Sequence, residues 1–241
     1  MTEEEWLTAT DPTPMLEFLR GKASERKLRL FGVACCYEVR DLIAAMEEGS
    51  IGCGFVAVRL GEELADARAT PEDVRAAIED RVGMIDSGSS PYGWLLSRTL
   101  PGLADVDAQR GAIQTAASAG IARGRQVTNL VDFARGERSQ STESSRAEGR
   151  IATEAAYSRQ CILLRDIFPF HPITLDPSWL TSSVVSLAQH MYDTQEFTAM
   201  PILADALMDA GCDNPQILEH CRGPGPHVKG CWVCDLCLNK S

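Results

Sequence analysis

The stretch from Ser24 to Gly49, SERKLRLFGVACCYEVRDLIAAMEEG, decides the fold class. Leu28, Phe31, Cys35, Val39, Leu42 and Met46 recur at steps of three and four, which gathers them on one face of a helix. Ser24 is placed to cap the first turn, and Gly49 stops the pattern.

The same punctuation extends in both directions. Asp11-Pro12 opens a segment carrying Met15, Leu16, Phe18 and Leu19. A helix near 51–68 carries Phe55, Val58, Leu60 and Leu64, although Gly52, Gly54 and Gly61 each weaken it by about 1 kcal/mol against Ala. Thr70-Pro71-Glu72-Asp73 is a strong start: a cap, a proline where no N–H is needed, and two acids at the positive end of the dipole. Asp86 to Gly93 reads as a loop, followed by a short apolar segment, Trp94 to Leu100. Residues 105–135 are Ala-rich and helical, with breaks expected at Gly120 and Gly124.

Helix resumes from Ile151 to Phe168. Asp176-Pro177 opens another through Tyr192, Phe197 to Ala210 is ended by Gly211, and Asn214-Pro215 starts a short one to Cys221. Gly223-Pro224-Gly225-Pro226 is a hard break, and Val228 to Leu238 fits helix or strand. The expectation is an all-α protein, an irregular multi-helix array or bundle, or two helical lobes. Residues 135–150 are almost entirely polar and read as an exposed, mobile connection between 1–134 and 151–241, the alternative being a polar helix end flanking a short loop.

Acids outnumber Lys and Arg by 34 to 23, a net charge of −11. That field repels phosphate backbones and anionic lipid, so neither nucleic acid nor a membrane is the expected partner. Glu3-Glu4-Glu5 opens no secretory signal, and no apolar run approaches a membrane span. A cytoplasmic setting follows, in which the nine cysteines stay largely reduced.

Several stretches carry a family signature. They are Met15-Leu16-Glu17-Phe18-Leu19-Arg20-Gly21-Lys22-Ala23-Ser24, Leu164-Arg165-Asp166-Ile167-Phe168, Leu175-Asp176-Pro177-Ser178-Trp179-Leu180-Thr181, and His220-Cys221-Arg222 through Pro224-Gly225-Pro226-His227-Val228 to Gly230-Cys231-Trp232. Together they resemble a large paralogous family of uncharacterised planctomycete-type bacterial proteins. The likeness covers both ends, about half of the chain. It implies no activity; fusions among such proteins hint at an adaptor role. Where this chain has Cys234 and Cys237 the family pattern has apolar residues, which implies a packing role for those thiols.

The carboxyl-terminal residues hold what chemistry the sequence suggests. Cys231-Trp232-Val233-Cys234 with Cys237 offers thiolates, and His220, His227, Cys212 or Cys221 could complete four zinc ligands. Against zinc, the residues between the cysteines are mostly apolar and no second, separate CxxC pair exists, so buried thiols are the preferred reading and no cofactor is expected. A redox CxxC lacks a βαβ setting, and no nucleophile elbow or phosphate loop is present. Adjacent acids such as Glu47-Glu48 and Glu62-Glu63 diverge on a helix and read as solvated.

The Gly-Pro-Gly-Pro turn fixes the backbone beside Arg222, His227 and Lys229, a basic patch suited to an acidic protein partner. The alternative is a rigid corner that docks the last segment. The favoured function is therefore a non-enzymatic protein-interaction or adaptor module, with a zinc-stabilised helical module as the alternative and a thiol-dependent enzyme third.

Overall fold

The structure, a computed structural model, describes residues 1–47, 53–85, 98–135 and 141–240. The expected loop at 86–93 and most of the apolar segment after it lie outside the described residues. The fold is all-α, a multi-helix array with no strand among the described residues. The helices are α1 (Glu3–Thr8), α2 (Pro12–Leu19), α3 (Glu25–Tyr37), α4 (Arg40–Glu47), α5 (Cys53–Ala65), α6 (Pro71–Ile85), α7 (Ala108–Ala134), α8 (Glu143–Ile167), α9 (Ser182–Thr194), α10 (Met200–Asp209), α11 (Pro215–Arg222) and α12 (Trp232–Cys237). Short 3-10 turns cover Leu100–Ala104, Pro177–Trp179 and Phe197–Ala199. Among the described residues, no helix is long and apolar enough to cross a membrane.

Local chemistry sets most helix starts. Asp11, Ser24, Asp107, Thr181 and Asn214 each accept from an early amide of the helix that follows, and Thr70 accepts from Asp73 N–H at 3.2 Å. The segment read as one helix from Ser24 is two. At Val39 the amide bonds Cys36 C=O, three residues back, and α4 restarts from there. The guanidinium of Arg123 donates to the Glu38 carbonyl at 2.5 Å and to both Asp41 oxygens at 2.7 Å, and so bridges the break. Asp176-Pro177 likewise forms a 3-10 turn, and Thr181 starts the helix proper.

Two compact units divide the chain, Met1–Cys161 and Ile162–Ser241. The boundary thus falls later than the polar stretch 135–150. Glu143 onward is already helix, capped by Thr142, whose hydroxyl accepts from Ser145 N–H at 3.2 Å. Its polarity misleads because the buried positions of that turn are the small residues Ser145 and Gly149. In the first unit, α7 runs unbroken through Gly120 and Gly124. A Cβ at Gly120 would strike the Tyr157 ring, and one at Gly124 would strike Gly149 and Thr153. These glycines are close-approach points between α7 and α8.

In the second unit, Val184, Ala188 and Met191 of α9 pack with Leu203, Ala204 and Leu207 of α10, Ile217 and Cys221 of α11, and Val233, Cys234 and Cys237 of α12. The last segment, open between helix and strand by sequence, is helical.

Candidate metal centre

Four side chains of the second unit converge: Asp166, His220, His227 and Cys231. One potential ligand atom from each lies within 4.8 Å of the others. Asp166 sits in the last turn of α8 and His220 in the last turn of α11. Asn214 starts α11 and Gly223 ends it, so the chain turns through Gly-Pro-Gly-Pro and brings His227 back to α8. Cys231, the N-cap residue of α12, is anchored by its amide to Val228 C=O at 2.8 Å.

Asp166 Oδ1 lies 2.6 Å from His227 Nδ1 and 3.1 Å from His220 Nε2, while Oδ2 accepts from the Val228 amide at 2.9 Å. His220 Nε2 also meets Cys231 Sγ at 3.2 Å, and Trp232 Nε1 donates to His220 Nδ1 at 3.1 Å. The His220 and His227 rings meet edge to face, 4.9 Å between centroids. The Asp166 side chain is 4% exposed and that of His227 9%. Nε2 of His227 is buried without a hydrogen-bond partner.

Burial alone would push the Asp166 pKa up; hydrogen bonds from His220 and His227 outweigh it and hold the carboxyl below its usual range. Burial likewise opposes a charged His227, yet the bond to Asp166 and the nearby Cys231 raise its pKa to about 10. For His220, burial again opposes the charge, while the same two partners raise its pKa to about 9 and so favour the charged ring, a form that the Trp232 contact opposes. The indole decides the matter. It can only donate, so it leaves no room for a proton on Nδ1, and His220 is neutral with its proton on Nε2.

This is poor geometry for a nucleophile through His220, and His227, with Asp166 on its Nδ1, makes no hydrogen bond to the thiol through Nε2. A catalytic relay needs the thiol on one imidazole nitrogen and the carboxylate on the other. At His220, Cys231 and Asp166 share Nε2, and Trp232 occupies Nδ1. Burial raises the fully buried Cys231 thiol well above its ordinary pKa, with Cys234 and Asp166 adding to it. Metal binding suits the set better. Imidazole, thiolate and carboxylate are the ligand types of zinc. Tetrahedral bonds of roughly 2.0–2.3 Å place donors about 3.3–3.8 Å apart; the 3.1 and 3.2 Å seen around His220 fall a few tenths of an ångström short of that, and the 2.6 Å between Asp166 Oδ1 and His227 Nδ1 is shorter still, the spacing of a hydrogen bond that a metal would have to open.

Of the zinc ligands suggested by sequence, Cys231, His220 and His227 are brought together. Cys234 instead meets Met200 Sδ at 3.6 Å, and Cys212, Cys221 and Cys237 are buried in the core. Cys35 and Cys36 are both buried in the first unit. Sequence reasoning missed Asp166. Its signal was a lone acid three residues after Leu163, among the buried positions Leu164 and Ile167.

The residues of the basic patch have separate surroundings. Arg222 pairs with Asp205 at 3.1 Å, and Lys229 lies over the Tyr192 ring, 4.8 Å from its centroid. His227 turns inward to Asp166. No known protein family, curated protein or solved structure matches the chain.

Proposed function

We propose that this chain is a non-enzymatic helical protein whose second unit is braced by one zinc-class ion, held by Asp166, His220, His227 and Cys231. The observation that carries the reading is the convergence of one oxygen, two imidazoles and one sulfur within 4.8 Å. A set of four protein ligands is closed, which is the pattern of a structural rather than a catalytic zinc. The mixed donors disfavour magnesium and calcium, which take oxygen. The four ligands come from the end of α8, the end of α11, the Gly-Pro-Gly-Pro return and the start of α12, so one ion ties four segments. In this reading the braced unit offers a rigid surface to a protein partner in the cytosol.

Metal analysis of the full-length protein, purified with zinc and dialysed, tests it. The expected result is one equivalent of zinc, lost in Cys231→Ala and His227→Ala and kept in Cys237→Ala. Metal-free wild-type protein after zinc exposure would refute the reading. So would equal loss in Cys237→Ala and Cys231→Ala.

A further inference from the structure

The proton positions around His220 carry a consequence for the metal reading and rest on it. An indole N–H has no acceptor capacity. Trp232 Nε1 lies 3.1 Å from His220 Nδ1, so that nitrogen presents its lone pair and the ring proton sits on Nε2. The Nε2–H then faces Asp166 Oδ1 at 3.1 Å and Cys231 Sγ at 3.2 Å. Ligation needs the reverse. A neutral imidazole that gives its Nε2 lone pair to a metal carries its proton on Nδ1 and seeks an acceptor there. Two donors would then oppose each other across the 3.1 Å contact. The Trp232 hydrogen bond and a metal bond from His220 Nε2 exclude each other.

We propose that Trp232 is the positioning residue of this centre. Its indole holds His220 in the Nε2–H form in the metal-free protein; metal uptake moves the proton to Nδ1 and releases the indole. One proton leaves Nε2 for solvent and one is taken up at Nδ1, so the ring stays neutral. The Nε2 electron pair passes to the metal, and the Cys231 thiol gives its proton to solvent as sulfur ligates. Trp232 is 4% exposed and is the first residue of α12, with its ring centroid 4.7 Å from that of His220. A buried indole N–H without an acceptor is costly, so release must shift the start of α12. Trp232 thereby couples occupancy of the centre to the position of the last helix, and it lowers affinity by favouring the metal-free form.

The test is histidine nitrogen NMR on the full-length protein labelled with ¹⁵N, before and after one equivalent of zinc. The expected result is His220 protonated on Nε2 without metal and on Nδ1 with it, together with a shift of the Trp232 indole N–H signal. Trp232→Phe, which keeps a ring and removes the donor, is expected to bind cobalt(II) about five- to tenfold more tightly, the equivalent of one lost hydrogen bond. Three results overturn the proposal: Nδ1–H in the metal-free protein, an unmoved proton on zinc addition, or weaker cobalt binding by Trp232→Phe. If metal binds and the proton does not move, only the role of Trp232 fails. If wild-type protein takes up neither zinc nor cobalt, the metal reading fails and this inference with it.

Discussion

Asp166 Oδ1 accepts from His227 Nδ1 at 2.6 Å while its Oδ2 takes the next residue's amide, Val228 N–H, at 2.9 Å. One buried carboxylate thus clamps the return of the chain after Gly-Pro-Gly-Pro to the last turn of α8. Asp166→Ala would strand the donors of His227, His220 and Val228 in a largely buried site. The expected loss is about 3 kcal/mol or more. Asp166→Asn keeps one acceptor oxygen and is expected to lose less. Urea unfolding of the three proteins, followed by circular dichroism, ranks them. An Asp166→Ala midpoint equal to wild type would show that the clamp carries no stability.

Much of the fold was legible because helix starts are local events. Thr70-Pro71, Asp11-Pro12 and Asn214-Pro215 each place a side-chain acceptor beside a proline, and each begins a helix. What sequence could not show depends on distant partners. The break after Tyr37 is bridged by Arg123, 85 residues away from Glu38. The polar turn at 143–150 looked like a linker because its buried positions are Ser145 and Gly149, which no hydrophobic periodicity reveals. The centre divides the same way. His220, His227 and Cys231 were visible as a cluster, whereas Asp166 lies 61 residues before His227 within an apolar helix end. Cys234 and Cys237, whose spacing also allowed ligands, were read first as packing thiols, and α12 directs them into the core.

Gly120 and Tyr157 form a second testable contact, in the first unit. A methyl group at 120 would enter the Tyr157 ring, so Gly120→Ala is expected to cost about 1–3 kcal/mol despite the better helix propensity of alanine. In a Tyr157→Ala background the obstacle is gone. There the same change is expected to be neutral or to add stability, by up to about 1 kcal/mol. A double-mutant cycle from thermal or urea unfolding reads the sign change. Equal penalties in both backgrounds would place the strain elsewhere.

Eight cysteines, Cys35, Cys36, Cys161, Cys212, Cys221, Cys231, Cys234 and Cys237, are buried and in no disulfide. Burial pushes the Cys36 and Cys237 thiols up to about 12, so neither supplies thiolate near neutral pH. An aromatic disulfide reagent at pH 8 is therefore expected to leave these eight thiols unreacted over minutes in native protein. All nine cysteines of the chain should react at once in guanidinium chloride. Rapid modification of Cys231 or Cys234 in the folded protein, mapped by mass spectrometry, would reopen the thiol-enzyme reading.

The bridge across the α3–α4 break predicts an acid dependence. The hydrogen bond from Arg123 holds the Asp41 carboxyl at about 2, below its ordinary 3.8. The carboxylate is the favoured form in the folded state, so its contribution is complete above the unfolded pKa and disappears as pH falls from about 4 to 2. The Asp41 side chain is 52% exposed, so solvent screening keeps that contribution small. Asp41→Asn is expected to be less stable than wild type at pH 7, and the gap should close progressively between pH 4 and pH 2. Arg123→Gln should show the same closing gap. It should also keep a residual deficit at pH 2, because Arg123 additionally satisfies the Glu38 carbonyl, a bond that no protonation removes. Urea midpoints for the three proteins at pH 7, 4, 3 and 2 separate the two contributions. A gap for Asp41→Asn that stays constant across that range would mean that the ion pair adds nothing and that the break is held by the carbonyl contact alone.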